Sequence, residues 1–120
     1  MVNWDYYLLS KNPNITWKTI QNNSDKPWDY MYLSRNSNTT WDIVQANPDK
    51  PWNYEFLSLN PNITCDIITS NSDKAWGYYE LSQNSNINWS FIQANHDKDW
   101  DNIMLCRNPM TAWREEFIIK

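Results

Sequence analysis

Glycine is nearly missing from this chain: Gly77 is the single one in 120 residues. Turns that need a positive φ must therefore be made by asparagine or aspartate, which tolerate the left-handed region better than other side chains. Basic charge is also short, with 10 Lys and Arg against 14 Asp and Glu and a net charge of −4. Nucleic-acid binding calls for a basic stripe to neutralise phosphates, so such a partner is not expected. No run is long and apolar enough to span a membrane, and the opening stretch has no basic segment followed by an apolar one, so neither a span nor a signal peptide is expected. Cys65 and Cys106 each replace a different, recurrent residue. They read as two buried free thiols in a reducing, intracellular compartment.

Catalytic machinery is equally sparse. The one histidine, His96, occupies a turn position held elsewhere by Ser24, Pro48 and Ser72. Asp25, Asp49, Asp73 and Asp97 form a row, but each has an adjacent lysine and stands far from the next, so no cage of hard oxygen ligands forms in sequence. Asx turns and charge at helix N-termini account for them better. With no convergent acid, base or nucleophile, the chain is expected to have no catalytic residue, no cofactor and no metal site.

What the chain does have is a period. Trp4, Trp28, Trp52, Trp76 and Trp100 recur every 24 residues, and Trp17, Trp41, Cys65, Trp89 and Trp113 repeat the spacing 13 residues later. Uninterrupted spacing of this kind is the signature of a repeat protein. The fold class is all-α, a helical-repeat solenoid of about five 24-residue helix-turn-helix units, forming one repeat domain over 1–120 with units near 1–27, 28–51, 52–75, 76–99 and 100–120.

Each unit reads as two short helices. The first is expected to begin near the first Trp, as over Trp52–Leu59, with Pro27 or Pro51 at the first helical position and Asn3 or Asp99 as an N-cap elsewhere. It ends at Asn12, Asn36, Asn60, Asn84 or Asn108. The second starts at Thr16, Thr40, Thr64 and Asn88 as N-caps, with Thr111 or Ala112 in the last unit. Ile15–Ile20, Thr39–Val44, Ile63–Ile68 and Ile87–Ile92 have the spacing of hydrophobic staples. This helix ends around Asn23, Asn47, Asn71 and Asn95. The Asn series are either a hydrogen-bonded ladder along the solenoid or independent turn caps. Asn14, Asn22, Asn38, Asn62 and Asn88 open Asn-x-Ser/Thr triplets, but most share one repeat position and follow from the unit.

The pairing of Asn-Pro-Asn-Ile-Thr (Asn60 to Thr64) with Asn-Pro-Asp-Lys-Pro-Trp (Asn47 to Trp52) resembles the Trp- and Asn-rich tandem repeats of giant viruses of amoebae. The resemblance covers nearly the whole chain. It implies a viral protein of the host-cell cytoplasm or the virion, and no activity.

Function is sought in the positions that vary. Along the first helices, Tyr6, Leu9 and Ser10 recur from unit to unit, whereas the positions of Tyr7, Leu8 and Lys11 change freely. Those three fall within an arc of roughly 100° on a helix. Repeated residues face identical neighbours; varied ones face solvent or something that does not repeat. The candidate partner face is Tyr32, Arg35, Glu55, Phe56 and Tyr79, aromatic anchors with a charged rim. The expected function is a non-enzymatic scaffold for protein–protein interaction or virion structure. The alternative is a nucleic-acid-associated viral protein using local basic spots such as Arg35 and Arg107. Self-association through uncovered ends, Val2 and Trp4 at one and Phe117, Ile118 and Ile119 at the other, is a further expectation.

Overall fold

The computed structural model describes residues 2–109, so Trp113, Phe117, Ile118, Ile119 and the expected cap at Thr111 or Ala112 lie outside the described residues. Among the described residues there are nine short helices and no strand. They are α1 (Tyr6–Lys11), α2 (Trp17–Asn22), α3 (Tyr30–Arg35), α4 (Trp41–Ala46), α5 (Tyr54–Leu57), α6 (Cys65–Ser70), α7 (Tyr78–Leu81), α8 (Trp89–Ala94) and α9 (Asn102–Arg107). The first helices of successive units, α1, α3, α5 and α7, pack side by side, and the chain measures 59 × 26 × 21 Å. This is the helical-repeat solenoid that the period implies.

Helices of four to six residues are far too short to persist alone in water. Their ends are stitched instead. Thr16, Thr40, Thr64 and Asn88 cap the second helices as expected, each side-chain oxygen accepting the N–H three residues on. The hydrophobic pairs behind these caps share the core: Ile63, Ile68 and Val44 are buried in one cluster and Ile20 in another with Ile15 packed against it. In the fourth unit the pattern shifts by one residue, with Phe91 buried and Ile92 only half-buried.

The first helix starts later than the sequence suggests. It opens after Asp5, Asp29, Asn53 and Asp101, whose side chains accept the N–H of Leu8, Tyr32, Phe56 and Met104 at 2.8 to 3.2 Å. Asn3 and Asp99 are therefore not the caps. Pro27 and Pro51 are not at a first helical position either. Each is the middle of a three-residue turn closed by Trp28 N–H to Lys26 C=O, or Trp52 N–H to Lys50 C=O, at 2.9 Å. A fixed φ near −65° suits that turn, and the missing N–H costs nothing there. Asp25, Asp49 and Asp73 pair only with the neighbouring lysine at 3.7 Å, exposed, so they contribute little and cap no helix.

The Trp at each unit start lies outside the helix because its ring is used sideways. The indole N–H of Trp28, Trp52, Trp76 and Trp100 donates to the carbonyl of Asn23, Asn47, Asn71 and Asn95 at 2.9 Å. The ring then meets the Tyr of the preceding unit edge-on, as in Tyr6–Trp28 at 5.0 Å and Tyr54–Trp76 at 5.1 Å. The second Trp series reaches further: Trp17 packs on Trp52 and Trp41 on Trp76, both at 5.8 Å.

Cys65 breaks that second row. The ring that would meet a Trp at this position is Trp100, and it packs instead against Phe91 at 6.0 Å, edge to face. Phe91 stands where other units carry Thr19, Ile43 and Ile67, so added volume there offsets volume lost at Cys65. The Cys65 thiol donates to the carbonyl of Asn86 at 3.3 Å, and burial pushes its pKa up.

The two Asn alternatives are both realised, on different series. Asn23, Asn47, Asn71 and Asn95 are local caps, each amide donating to the carbonyl four residues back at 2.8 Å. The other series is the ladder. Asn60, fully buried, donates to the carbonyls of Ser34, Asn36 and Thr39 in the preceding unit at 2.9 to 3.1 Å. Asn36, Asn84 and Asn108 repeat this. Neither series takes the left-handed conformation expected of it: φ is −66° at Asn36 and −129° at Asn47. Asparagine is used here for its amide, not for its backbone freedom. A third series, Asn38, Asn62 and Asn86, also donates backwards, as in Asn38 to Pro13 and Ile15 at 2.7 and 2.6 Å. Two of these are the Asn of the Asn-x-Thr triplets, whose amide nitrogen is already committed.

Serine completes the joint. Ser10, Ser34, Ser58 and Ser82 are fully buried. Each hydroxyl donates to the carbonyl four residues back and accepts the backbone N–H of the next unit's cap residue at 2.9 Å. Cys106 occupies this position in the last unit, where it is exposed and not buried as expected, while Cys65 is half-buried.

Two stability outcomes follow, both read by chemical denaturation. Asn60→Ala leaves the Ser34 carbonyl and the Asn62 N–H without their partners and takes one of two donors from the Asn36 and Thr39 carbonyls, so it should cost about 2–4 kcal/mol. Asn12→Ala, at the same repeat position but exposed, should cost about 1 kcal/mol. Equal losses would show that the ladder is not what joins the units. Trp41→Ala should cost roughly 3–5 kcal/mol and Cys65→Ala about 1 kcal/mol, because Phe91 already fills the space beside Cys65.

Candidate interaction face

The first helices bury Leu33, Leu57 and Leu81 together with the serines, so the positions between them must point away from the joint. Along this outer face the exposed large apolar residues gather: Tyr7, Leu8, Met31, Tyr79 and Ile103. Trp89, Val2 and Trp4 are the other exposed large apolar residues among the described ones.

The expected face residues come to one row, with unequal exposure. Tyr79 is half exposed, and Arg35 and Glu55 are exposed. Tyr32 and Phe56 are half-buried. Tyr32 meets Tyr7 edge-on at 4.9 Å and Phe56 at 5.7 Å, so the first three units carry a continuous aromatic row. The Tyr7 hydroxyl donates to the Tyr32 hydroxyl at 3.0 Å, and this bond raises the pKa of the Tyr7 phenol. Lys11 sits over both rings, 5.4 Å from the centre of Tyr7 and 4.9 Å from that of Tyr32, a cation–π arrangement. Lys11, Tyr32 and Arg35 edge one open depression with Pro13 and Ser37.

Farther along, the row turns acidic. Glu55 and Glu80 lie close enough for their charges to interact. Glu80 has a second task that sequence reasoning missed. In the fourth unit the helix cap is Gly77, which has no side chain to accept an N–H. The Glu80 carboxylate lies where a Gly77 Cβ would be, and it accepts its own backbone N–H, the group that Asp or Asn caps in the other units. The one glycine and the one carboxylate at this row position thus replace a cap together. The signal was present in sequence as two departures from the unit three residues apart.

Arg35 and Arg107, the basic spots considered for nucleic acid, are three units apart, with Glu55 and Glu80 between them on the same row. A phosphate backbone crossing this face would meet alternating charge. Elsewhere, Trp4, Tyr6, Leu9, Ile15 and Trp28 line an open apolar groove at the N-terminal end, where Val2 and Trp4 are exposed. Among the described residues no three His, Cys, Asp or Glu side chains come together as a metal cage, and no helix is long and apolar enough to cross a membrane. Comparison of the chain with family models, with curated proteins and with solved structures returns no match.

Burial first, and then the charge of Glu55, raise the Glu80 carboxyl above the usual glutamate value. The native state therefore holds its proton to higher pH than the unfolded chain, and stability falls as pH rises from the ordinary glutamate value through the raised one. Denaturation midpoints measured between about pH 4 and 7 should show this decline, and Glu55→Gln should shrink it. A midpoint that rises over that range in the native chain and is unchanged in Glu55→Gln would contradict the assignment.

Proposed function

We propose that the protein is a non-enzymatic scaffold that binds protein through the outer row of its first helices. The observation that carries this reading is where exposed apolar area collects. The repeated positions of these helices are committed to the joints between units, and five exposed large apolar residues fall on the positions left over. Exposed large apolar residues gathered on one face mark a contact surface more often than residues scattered singly. Aromatic residues edged by Lys11, Arg35 and Glu55 have the make-up of a binding patch, in which a few large side chains carry most of the energy. The resemblance to repeats of giant amoebal viruses adds a viral origin, and a place in the virion or host cytoplasm, to the same proposal. The apolar N-terminal groove is a second, smaller contact surface in this reading.

The test substitutes the exposed residues and spares Tyr32 and Phe56, which also pack against neighbours. Met31→Glu combined with Tyr79→Glu should leave stability within about 0.5 kcal/mol, since both side chains point to solvent. Native chain immobilised in extract of infected amoebae should retain proteins, identified by mass spectrometry, that the double variant does not. Equal retention by both chains, with both folded, would overturn the face as a binding site.

A further inference from the structure

The outer row is not uniform in charge. Over the first four units its basic residues, Lys11 and Arg35, belong to units one and two, and its acidic ones, Glu55 and Glu80, to units three and four, with Arg107 in the fifth unit beyond them. Within those four units the sign changes once, between units two and three. Such an arrangement is complementary to itself when reversed.

We propose that this face pairs with the same face of a second copy of the chain, the two solenoids antiparallel about a twofold axis that runs along the first helices between units two and three. This rests on the reading of the row as a protein-binding face and names its occupant. The axis brings unit one of one copy over unit four of the other, and unit two over unit three. Arg35 then lies about one helical turn from Glu55, and Lys11 slightly less from Glu80. The aromatic row matches in the same register, because Tyr32 and Phe56 hold equivalent positions in units two and three, and Tyr7 and Tyr79 in units one and four.

Arg35 ends α3 whereas Glu55 lies near the start of α5. Four residues of helix amount to about 6 Å, which the long arginine stem spans. The other twofold arrangement, with the axis along the solenoid, fails on the same charges. It sets each unit against its own copy, so that Arg35 meets Arg35 and Glu55 meets Glu55, and like charges in contact oppose docking. A closed twofold pair uses one self-complementary patch and does not propagate. It covers Tyr7, Met31 and Tyr79, three of the exposed apolar residues, and leaves Ile103 of the fifth unit beyond the partner.

The experiment is a charge swap read by sedimentation equilibrium of the full chain. The native chain should be dimeric at tens of micromolar, on the order at which interfaces of modest size assemble. Arg35→Glu and Glu55→Arg should each raise the dissociation constant by about tenfold or more, because each sets like charges together twice in the symmetric pair. The double variant, which restores opposite charges in reversed order, should return it to within about threefold of native. Arg35 and Glu55 are exposed, so all three variants should fold, those without Glu55 melting no lower than the native chain because the repulsion on Glu80 is gone, and circular dichroism checks that they do. A double variant no tighter than the singles overturns the pairing. So does a dimer that ignores both charge reversals and is lost in Trp4→Ser, which places the contact at the N-terminal groove. A native chain that stays monomeric at about 200 µM overturns the dimer. If Met31→Glu with Tyr79→Glu still loses captured protein in that case, the interaction face stands with another occupant. If capture is also unchanged, both readings fall together.

Discussion

A buried turn has to satisfy its carbonyls, and in this chain the amide of one asparagine per unit does so. Each helix is too short to hold its own ends, so the carbonyls past the first helix point into the next unit with no intrahelical donor. Asn36, Asn60, Asn84 and Asn108 supply that donor from the following unit. The oxygen of the same side chain accepts the N–H two residues on, as Asn60 does from Asn62 at 2.8 Å. Asn60 is fully buried yet leaves none of its polar atoms idle, which is the condition under which a polar group can occupy a core.

The ladder has a direction, and the rest of the joint inherits it. Amides at the start of one unit reach back to carbonyls of the unit before, and the serine of that earlier unit accepts the next backbone N–H in return. Every hydrogen-bonded joint is therefore made between neighbours and repeats with the same partners, while the Trp17–Trp52 and Trp41–Trp76 contacts reach one unit further. Energies of such arrays add as nearest-neighbour terms, so an interior unit counts two joints and an end unit one. The aromatic contacts run along the same direction, Tyr of one unit to Trp of the next, and they fill the space that the hydrogen bonds leave between helices. Cys106 in the serine position removes from the fifth unit the hydroxyl that would accept a further N–H.

The period, the helical class and the second-helix caps were legible in sequence because each depends on a local pattern. Thr or Asn followed by an amphipathic half-turn has few other solutions. The start of the first helix was misread for a physical reason. Asp-Lys-Pro-Trp has the composition of a helix start, with an acid, a proline and a large residue, and nothing local reveals that the indole N–H is claimed by Asn23 or Asn47. That bond holds the Trp outside the helix and moves the cap two residues on. The roles of the Asn series were beyond local reading in the same way, since an amide that bonds within its own turn and one that bonds the previous unit look alike in sequence. The third series was hidden further by its glycosylation-like triplets. On the outer face the row was legible from variation alone, but the half-burial of Tyr32 and Phe56 was not.

The departures from the unit separate into two kinds, and the separation bears on function. Cys65 is matched by Phe91, and Gly77 by Glu80, so a change at a joint or a cap is answered by a second change within the array. Both pairs are structural accommodations: one restores packing volume, the other a hydrogen bond. Glu80 apart, variation on the outer face has no such partner inside the chain. Met31 gives way to Glu55 and then to Tyr79, and all three side chains are exposed. Packing therefore exerts little selection on them, and their order over the first four units, basic, then acidic, with an aromatic in each, is free to be set from outside. The proposed pairing with a second copy accounts for that order, since it requires the sign of charge to reverse at one point and the aromatics to stay in register.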